Sequence, residues 1–305
     1  MIRTFTVKSD FDDLTLCGAY CKPEAEASCV LQIAHGMAEH KERYFPFMEY
    51  LAARGIASVI HDHRGHGASV KNPDDLGFMY AGGWNAMVED VKKVQGWAKN
   101  QFPGLPVILM GHSMGSMVAR AFTKRYDSAI DGLIVCGCPS NNPAKGAGKV
   151  LASLVAAIRG DHFRSKLLDS MSFGSFNKPF KAEGELAWLS ANRDNVKSYI
   201  ADPLCGFCFT ANGFMNLMGV MMYCYSPKGW AVANPSLKVM FISGGDDPCR
   251  IDDKSFGKAV QFMKDRGYSN VSSKLYPGLR HELLLEKCAE DIFDDIVRFI
   301  SSRSD

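Results

Sequence analysis

Hydrophobic and polar residues alternate one by one only at the start of the chain, where Arg3 to Val7 and Leu14 to Tyr20 flank the polar turn Ser9 to Asp13. That pattern predicts a hairpin of two half-exposed strands. From Cys29 onward the pattern changes to short, near-continuous apolar runs: Cys29 to Ala34, Ile56 to His61, Pro106 to Met110, Ile130 to Gly137 and Lys238 to Ser243. Such runs suit strands buried on both faces, as in a parallel sheet covered by helices. Helical stretches separate them, for example Trp84 to Lys99, in which Met87, Val91, Val94 and Ala98 recur every three or four residues. The expected fold class is therefore α/β, a mostly parallel, doubly wound sheet of about eight strands.

The rhythm breaks between residues 140 and 236, where helical and irregular segments follow one another without a clear strand. This stretch is expected to be a helical cap, or lid, inserted into a core made of residues 1–139 and 237–305. Beyond it, helix Asp253 to Arg266, strand Ser272 to Tyr276 and helix Leu284 to Ser301 resume the alternation. Within the cap, Phe207 to Tyr225 carries no charge and approaches the length of a membrane span. Asn212, Gly213, Asn216 and Gly219 dilute its apolarity, and both flanks must return to one sheet, so no transmembrane segment is expected. Phe214, Leu217, Met218, Met221, Met222 and Tyr225 form one helical stripe. Such a stripe suits core packing, and its flexible methionines also suit an acyl pocket, which makes Phe214, Met218 and Met221 substrate-binding candidates.

Composition narrows the classes. A chain of 305 residues, 47% hydrophobic, can bury one large core, and 35 basic against 33 acidic residues leave no broad positive field for nucleic acid. The first ten residues alternate like a strand and lack the apolar run of a signal peptide, so a cytoplasmic protein is expected. Ten cysteines then read as reduced, mostly buried thiols. Cys205 and Cys208 have C-x-x-C spacing, but no second ligand pair accompanies them for zinc.

The strongest chemical signal is Gly111-His112-Ser113-Met114-Gly115, which follows an apolar strand and precedes the helical stretch Ser116 to Tyr126. This is a G-x-S-x-G nucleophile elbow in its strand-turn-helix setting, with Ser113 as nucleophile. A serine hydroxyl needs an oriented base, and the chain order Ser, acid, His points to His281, just past the last strand. Asp246 and Asp247 are adjacent candidates for the acid. Asp247 precedes Pro248 and is held extended, whereas Asp246 could cap the turn. The oxyanion hole is expected from the backbone N–H groups of Met114 and Met37, the latter on the loop His35-Gly36-Met37 after the first parallel strand. Gly36 lets the backbone approach a reacting carbonyl, and with His112 it joins the substrate-binding candidates. A rival constellation, His61-Asp62-His63-Arg64-Gly65-His66, looks like a zinc-ligand run, but Gly65 stands where that run has Asp. It reads as a structural loop, and no metal or cofactor is expected.

Together His35-Gly36-Met37-Ala38-Glu39-His40, Asp62-His63-Arg64-Gly65-His66-Gly67, Gly111-His112-Ser113-Met114-Gly115, Asp247-Pro248 and Arg280-His281-Glu282 resemble the monoglyceride lipase and lysophospholipase branch of the α/β-hydrolases. The run Asp202-Pro203-Leu204-Cys205-Gly206-Phe207 is similar to bacterial members of that branch. The resemblance spans essentially the whole chain. It implies an α/β-hydrolase fold, a triad of Ser113, Asp247 and His281, an oxyanion hole at Met37 and Met114, and a cap over an acyl pocket. It decides for Asp247, because the family's acid stands just before the proline.

The expected function is hydrolysis of carboxylic esters, of monoacylglycerol or lysophospholipid type, with a small-molecule lipid substrate and transient contact of the cap with lipid surfaces. A serine aminopeptidase is the alternative among enzymes. Related caps hold free amino termini with acidic residues, whereas here basic residues outnumber acidic ones between 140 and 236. A non-catalytic small-ligand sensor on the same fold is the third reading, which an intact triad disfavours.

Overall fold

The opening hairpin forms as its alternation requires: β1 (Ile2–Lys8) pairs antiparallel with β2 (Thr15–Cys21). In the computed structural model, which describes residues 1–302, this hairpin joins a sheet with β3 (Cys29–Ala34), β4 (Ile56–His61), β5 (Val107–His112), β6 (Gly132–Cys136), β7 (Lys238–Gly244) and β8 (Val271–Tyr276). The order is β1-β2-β4-β3-β5-β6-β7-β8, antiparallel at its first two pairings and parallel from β4 to β8. The sheet class and the apolar runs thus agree with the sequence reading.

Side chains of the central strands alternate between two core layers, as a period of two demands. Ile108 and Met110 of β5 face the layer formed with α1 (Phe45–Ala52). Leu109 faces the opposite layer, shared with α2 (Gly83–Gln101) and α3 (Met114–Tyr126). Between β6 and β7 run α4 (Lys145–Arg159), α5 (Lys166–Phe173), α6 (Arg193–Ala201) and α7 (Ala211–Cys224). α8 (Asp253–Asp265) and α9 (Ala289–Ser301) follow β7 and β8. Among the described residues no helix is long and apolar enough to cross a membrane.

Two elements differ from the sequence reading. The last helix begins at Ala289 rather than Leu284, because Glu286 is extended and its carboxylate accepts the N–H groups of Ala191, Asn192 and Arg280. The α7 stripe also divides. Phe214 is buried against Phe209 and Phe173, while Met222 is 38% exposed.

The topology places the site. β3 lies between β4 and β5, with Ala34 opposite His61 on one side and Gly111 on the other. Chain order reverses there, so the loops leaving β3 and β5 flank a crevice at the carboxyl ends of the strands. Gly115 seats the two against each other: a Cβ on it would lie 2.1 Å from the Ala34 carbonyl oxygen.

The asparagines of α7 have a structural task. Asn212 Oδ1 accepts the Met79 N–H at 3.0 Å, and Asn216 Oδ1 accepts the Trp84 N–H at 2.9 Å, satisfying an otherwise unpaired donor in the first turn of α2. Asn216→Leu is expected to lower stability by about 1–3 kcal/mol, the penalty for stranding a buried donor. A urea-unfolding midpoint equal to that of the unaltered protein would refute this role.

Candidate active site

Ser113 sits between the end of β5 and the start of α3, with φ 50° and ψ −117°. A non-glycine residue persists in that region only when its surroundings fix it. Here its N–H donates to the Cys136 carbonyl at 2.9 Å, and its own carbonyl accepts from Ser116 Oγ at 2.6 Å. A Cβ on Gly111 would lie 2.2 Å from the Gly115 carbonyl oxygen, so the turn closes only around glycine. The first N–H groups of α3, Met114 among them, have no partner within the helix.

His281 and Asp247 meet across the loops that follow β8 and β7. His281 Nδ1 lies 2.9 Å from Asp247 Oδ2. Burial alone would raise the Asp247 carboxyl, but His281, the Cys249 N–H and the Ser243 hydroxyl hold it below the usual carboxylate range. The choice between adjacent acids has a simple geometry: Asp246 is exposed, whereas Asp247 both caps the turn through Cys249 and holds the imidazole. A carboxylate on Nδ1 fixes the ring's orientation and leaves Nε2 to exchange a proton on the other side.

A cavity of about 1050 Å³ gathers most of the expected residues. Gly36, Met37, Ser113, Met114, Asp247 and His281 line it, as do His112, Met218 and Met221. Phe214 does not. It lies in the core one layer behind, which corrects its assignment as a substrate-binding residue. His112 also needs correction, because both its nitrogens are engaged. Nδ1 is 3.0 Å from Glu39 Oε1 and Nε2 is 3.2 Å from the His281 carbonyl oxygen. Both partners accept, so both nitrogens must carry hydrogen. Burial opposes that charge, but the Glu39 carboxylate prevails and raises the His112 pKa above the ordinary histidine value.

Glu39, Arg43 and Glu282 are the residues that sequence reasoning missed. Glu39 Oε1 accepts the Gly36 N–H at 2.5 Å and the Tyr44 hydroxyl at 2.9 Å. Its other oxygen pairs with Arg43, whose fork also grips Glu282, the residue after His281, at 2.6 and 2.8 Å. Glu39 and Glu282 stand inside the recognised motifs, yet nothing in their spacing announces that one arginine joins them.

The C-x-x-C pair forms no disulfide, and both thiols are free. Cys205 lies within ligand distance of His40 and Asp202. The His40 ring is already bracketed by Glu42 at 2.6 Å and Asp202 at 2.8 Å, and although burial opposes it, Cys205 together with these two carboxylates pushes its pKa up to about 11.

The histidine-rich loop packs into the interior. His35, His61, His63 and His66 are fully buried, with the His35 and His63 rings 4.6 Å apart. His35 is held neutral by its partners: Nδ1 donates to the Gly36 carbonyl and Nε2 accepts the His63 N–H. Burial drives all four pKa values down, to about 3 for His61 and about 4 for His66. Below the unfolded value of roughly 6.5 the unfolded chain binds protons that the folded chain refuses, so stability falls as pH falls. Each such histidine contributes up to about 1.4 kcal/mol per pH unit in that window. His40 and His112, with raised values, add no slope there because both states are protonated. Melting temperature is therefore expected to drop from pH 7 to pH 5, and His61→Phe should make that drop shallower. An unchanged slope in the variant would remove this account.

Comparison with known proteins agrees with the geometry. A family model described as "Serine aminopeptidase, S33" matches residues 25–288. The monoacylglycerol lipase of Mycolicibacterium smegmatis is 28% identical over 92% of this chain and 90% of its own. A monoglyceride lipase homolog of Monkeypox virus is 31% identical over 93% of each. Among solved structures, a thermostable carboxyl esterase from Bacillus coagulans superposes with a TM-score of 0.90 at 22% identity, covering 98% of this chain and 97% of its own. The likeness of the structures establishes the α/β-hydrolase fold. With the sequence matches, it shows that the chain belongs to the S33 serine aminopeptidase family of α/β-hydrolases, in its monoglyceride lipase-like branch.

Proposed function

We propose that this hydrolase cleaves carboxylic esters of the monoacylglycerol or lysophospholipid type, with Ser113 as nucleophile, His281 as base and Asp247 as the acid that orients it. The observation that carries the reading is the 2.9 Å contact between His281 and Asp247 in the cavity that also receives the strained elbow of Ser113. Ser113 Oγ attacks the ester carbonyl while His281 Nε2 takes its proton. The N–H groups of Met37 and Met114 donate hydrogen bonds to the negatively charged tetrahedral oxygen. Collapse expels the alcohol, protonated by His281, and leaves an acyl-enzyme that water hydrolyses by the same route. The scheme uses no cofactor.

Residues 140–236 act in this reading as a cap over the acyl site. Val150, Leu154 and Ile158 of α4 recur every fourth residue and are 54–78% exposed, as are Leu167 and Met171 of α5 at 59% and 65%. An apolar face of this kind suits transient contact with a lipid surface, and Met171 also lines the cavity. Asp169 favours the second reading, a serine aminopeptidase. It lines the cavity half-buried, its carboxyl raised by burial, and could receive a substrate ammonium. Release of p-nitroaniline from alanine or proline p-nitroanilide, faster than hydrolysis of any ester, would favour that alternative.

Ser113→Ala should lower ester turnover by roughly 10³-fold or more without unfolding the protein. Asp247→Asn should cost far more activity than Asp246→Asn, since only Asp247 holds the imidazole. Near-normal turnover by Ser113→Ala, or the reverse ranking of the aspartates, would refute the triad. If Met218 and Met221 wall the acyl chain, each buried methylene gains about 0.8 kcal/mol, and kcat/KM should climb from p-nitrophenyl acetate to longer esters. Met218→Trp should depress long esters much more than acetate. A uniform loss, together with a lower melting temperature, would assign Met218 to packing instead.

A further inference from the structure

We infer that Cys249 and His281 form a binding site for a thiophilic divalent cation such as zinc, and that its occupancy switches the hydrolase off. The inhibitory part rests on the proposed role of His281 as base; the binding part does not. Cys249 Sγ lies 3.9 Å from His281 Nε2, the nitrogen left over once Asp247 has taken Nδ1. With Zn–S of about 2.3 Å and Zn–N of about 2.0–2.1 Å, a tetrahedral ion separates the two donors by about 3.6 Å. A movement of roughly 0.3 Å completes that geometry.

Asp247 holds both donors in place. One carboxylate oxygen accepts the Cys249 N–H at 2.8 Å and the other holds the imidazole at 2.9 Å. A metal-ligating histidine usually has such an outer partner on its second nitrogen, where it fixes the ring and strengthens the ligand. Both side chains line the cavity, so the remaining coordination positions face space that water can fill. The other candidate cluster, His40 with Asp202 and Cys205, lacks this readiness, because carboxylates occupy both of its imidazole nitrogens.

Binding replaces the thiol proton of Cys249 with the metal and releases that proton to solvent. The Nε2 lone pair is then committed to the ion and cannot accept the Ser113 proton.

The test uses the full chain, stripped of metal, hydrolysing p-nitrophenyl acetate while zinc chloride is added. Turnover should fall and return when EDTA is supplied. With each variant's zinc response scaled to its own metal-free turnover, Cys249→Ser and Cys249→Ala should need at least roughly tenfold more zinc for half-inhibition, whereas Cys205→Ser should respond like the unaltered protein. Equal zinc sensitivity in both Cys249 variants, or lost sensitivity in Cys205→Ser, overturns the site. A second readout needs no catalysis: cadmium chloride added to Ser113→Ala protein should raise a thiolate-to-metal ultraviolet absorption that diminishes in Ser113→Ala/Cys249→Ser. Identical absorption in the two also overturns the site. Absence of metal-free turnover in the unaltered protein would instead refute the hydrolase reading and leave the cadmium result standing.

Discussion

The site depends on one buried carboxylate. Glu39 collects the Gly36 N–H, the Tyr44 hydroxyl, the His112 ring and the Arg43 guanidinium, and it is only 2% exposed. A charge so far from water persists only when it is paired and its lone pairs are filled. The surroundings meet that condition with balanced charges, Glu39 and Glu282 against Arg43 and a doubly protonated His112. Each of these contacts also sets the position of something else. Gly36 belongs to the loop that carries Met37, His112 holds the His281 carbonyl, and Arg43 holds the residue that follows His281. The loop after β3 and the loop after β8 are therefore positioned by the same group.

This dependence explains which parts of the molecule were legible in the sequence. Strands and the elbow are local: Val107 to Met110 followed by Gly111-His112-Ser113 specifies a buried strand and a turn that only glycine can close. The extended backbone of Asp247 before Pro248 is likewise a property of two neighbours, but the choice of Asp247 over Asp246 comes from the family resemblance. The Arg43 and Glu282 pair lies 239 positions apart in the chain, and no periodicity encodes it. Phe214 failed for a related reason. Helical spacing groups it with Met218 and Met221, but whether a residue meets a cavity or a core depends on what α7 packs against, and Phe209 and Phe173 both lie outside that helix. The start of α9 was misplaced because Glu286, a good helix former in isolation, is used as an acceptor by the 190–192 turn.

Two buried histidines, His35 in the interior and His112 beside Ser113, show how partners decide protonation. His35 meets one acceptor and one donor, and is neutral. His112 meets two acceptors and is charged. Both are buried, so burial alone distinguishes nothing; the difference lies in the hydrogen-bond partners that each ring was given.

The segment between β6 and β7 touches the core unevenly. Ala38, at φ 51°, has its carbonyl held by the Tyr199 hydroxyl at 2.9 Å and the Gly206 N–H at 3.0 Å, and Arg43 reaches Asn195 of α6. α4 and α5, by contrast, present apolar side chains to solvent. The contacts that prop the turn at Ala38 and the helices that expose apolar side chains thus lie on different stretches of one segment. A chimera that exchanged all of it with a relative would carry away the props of the strained turn at Ala38. An exchange confined to the stretch from α4 to α5 would leave them in place, and with them the seating of the loop that carries Met37.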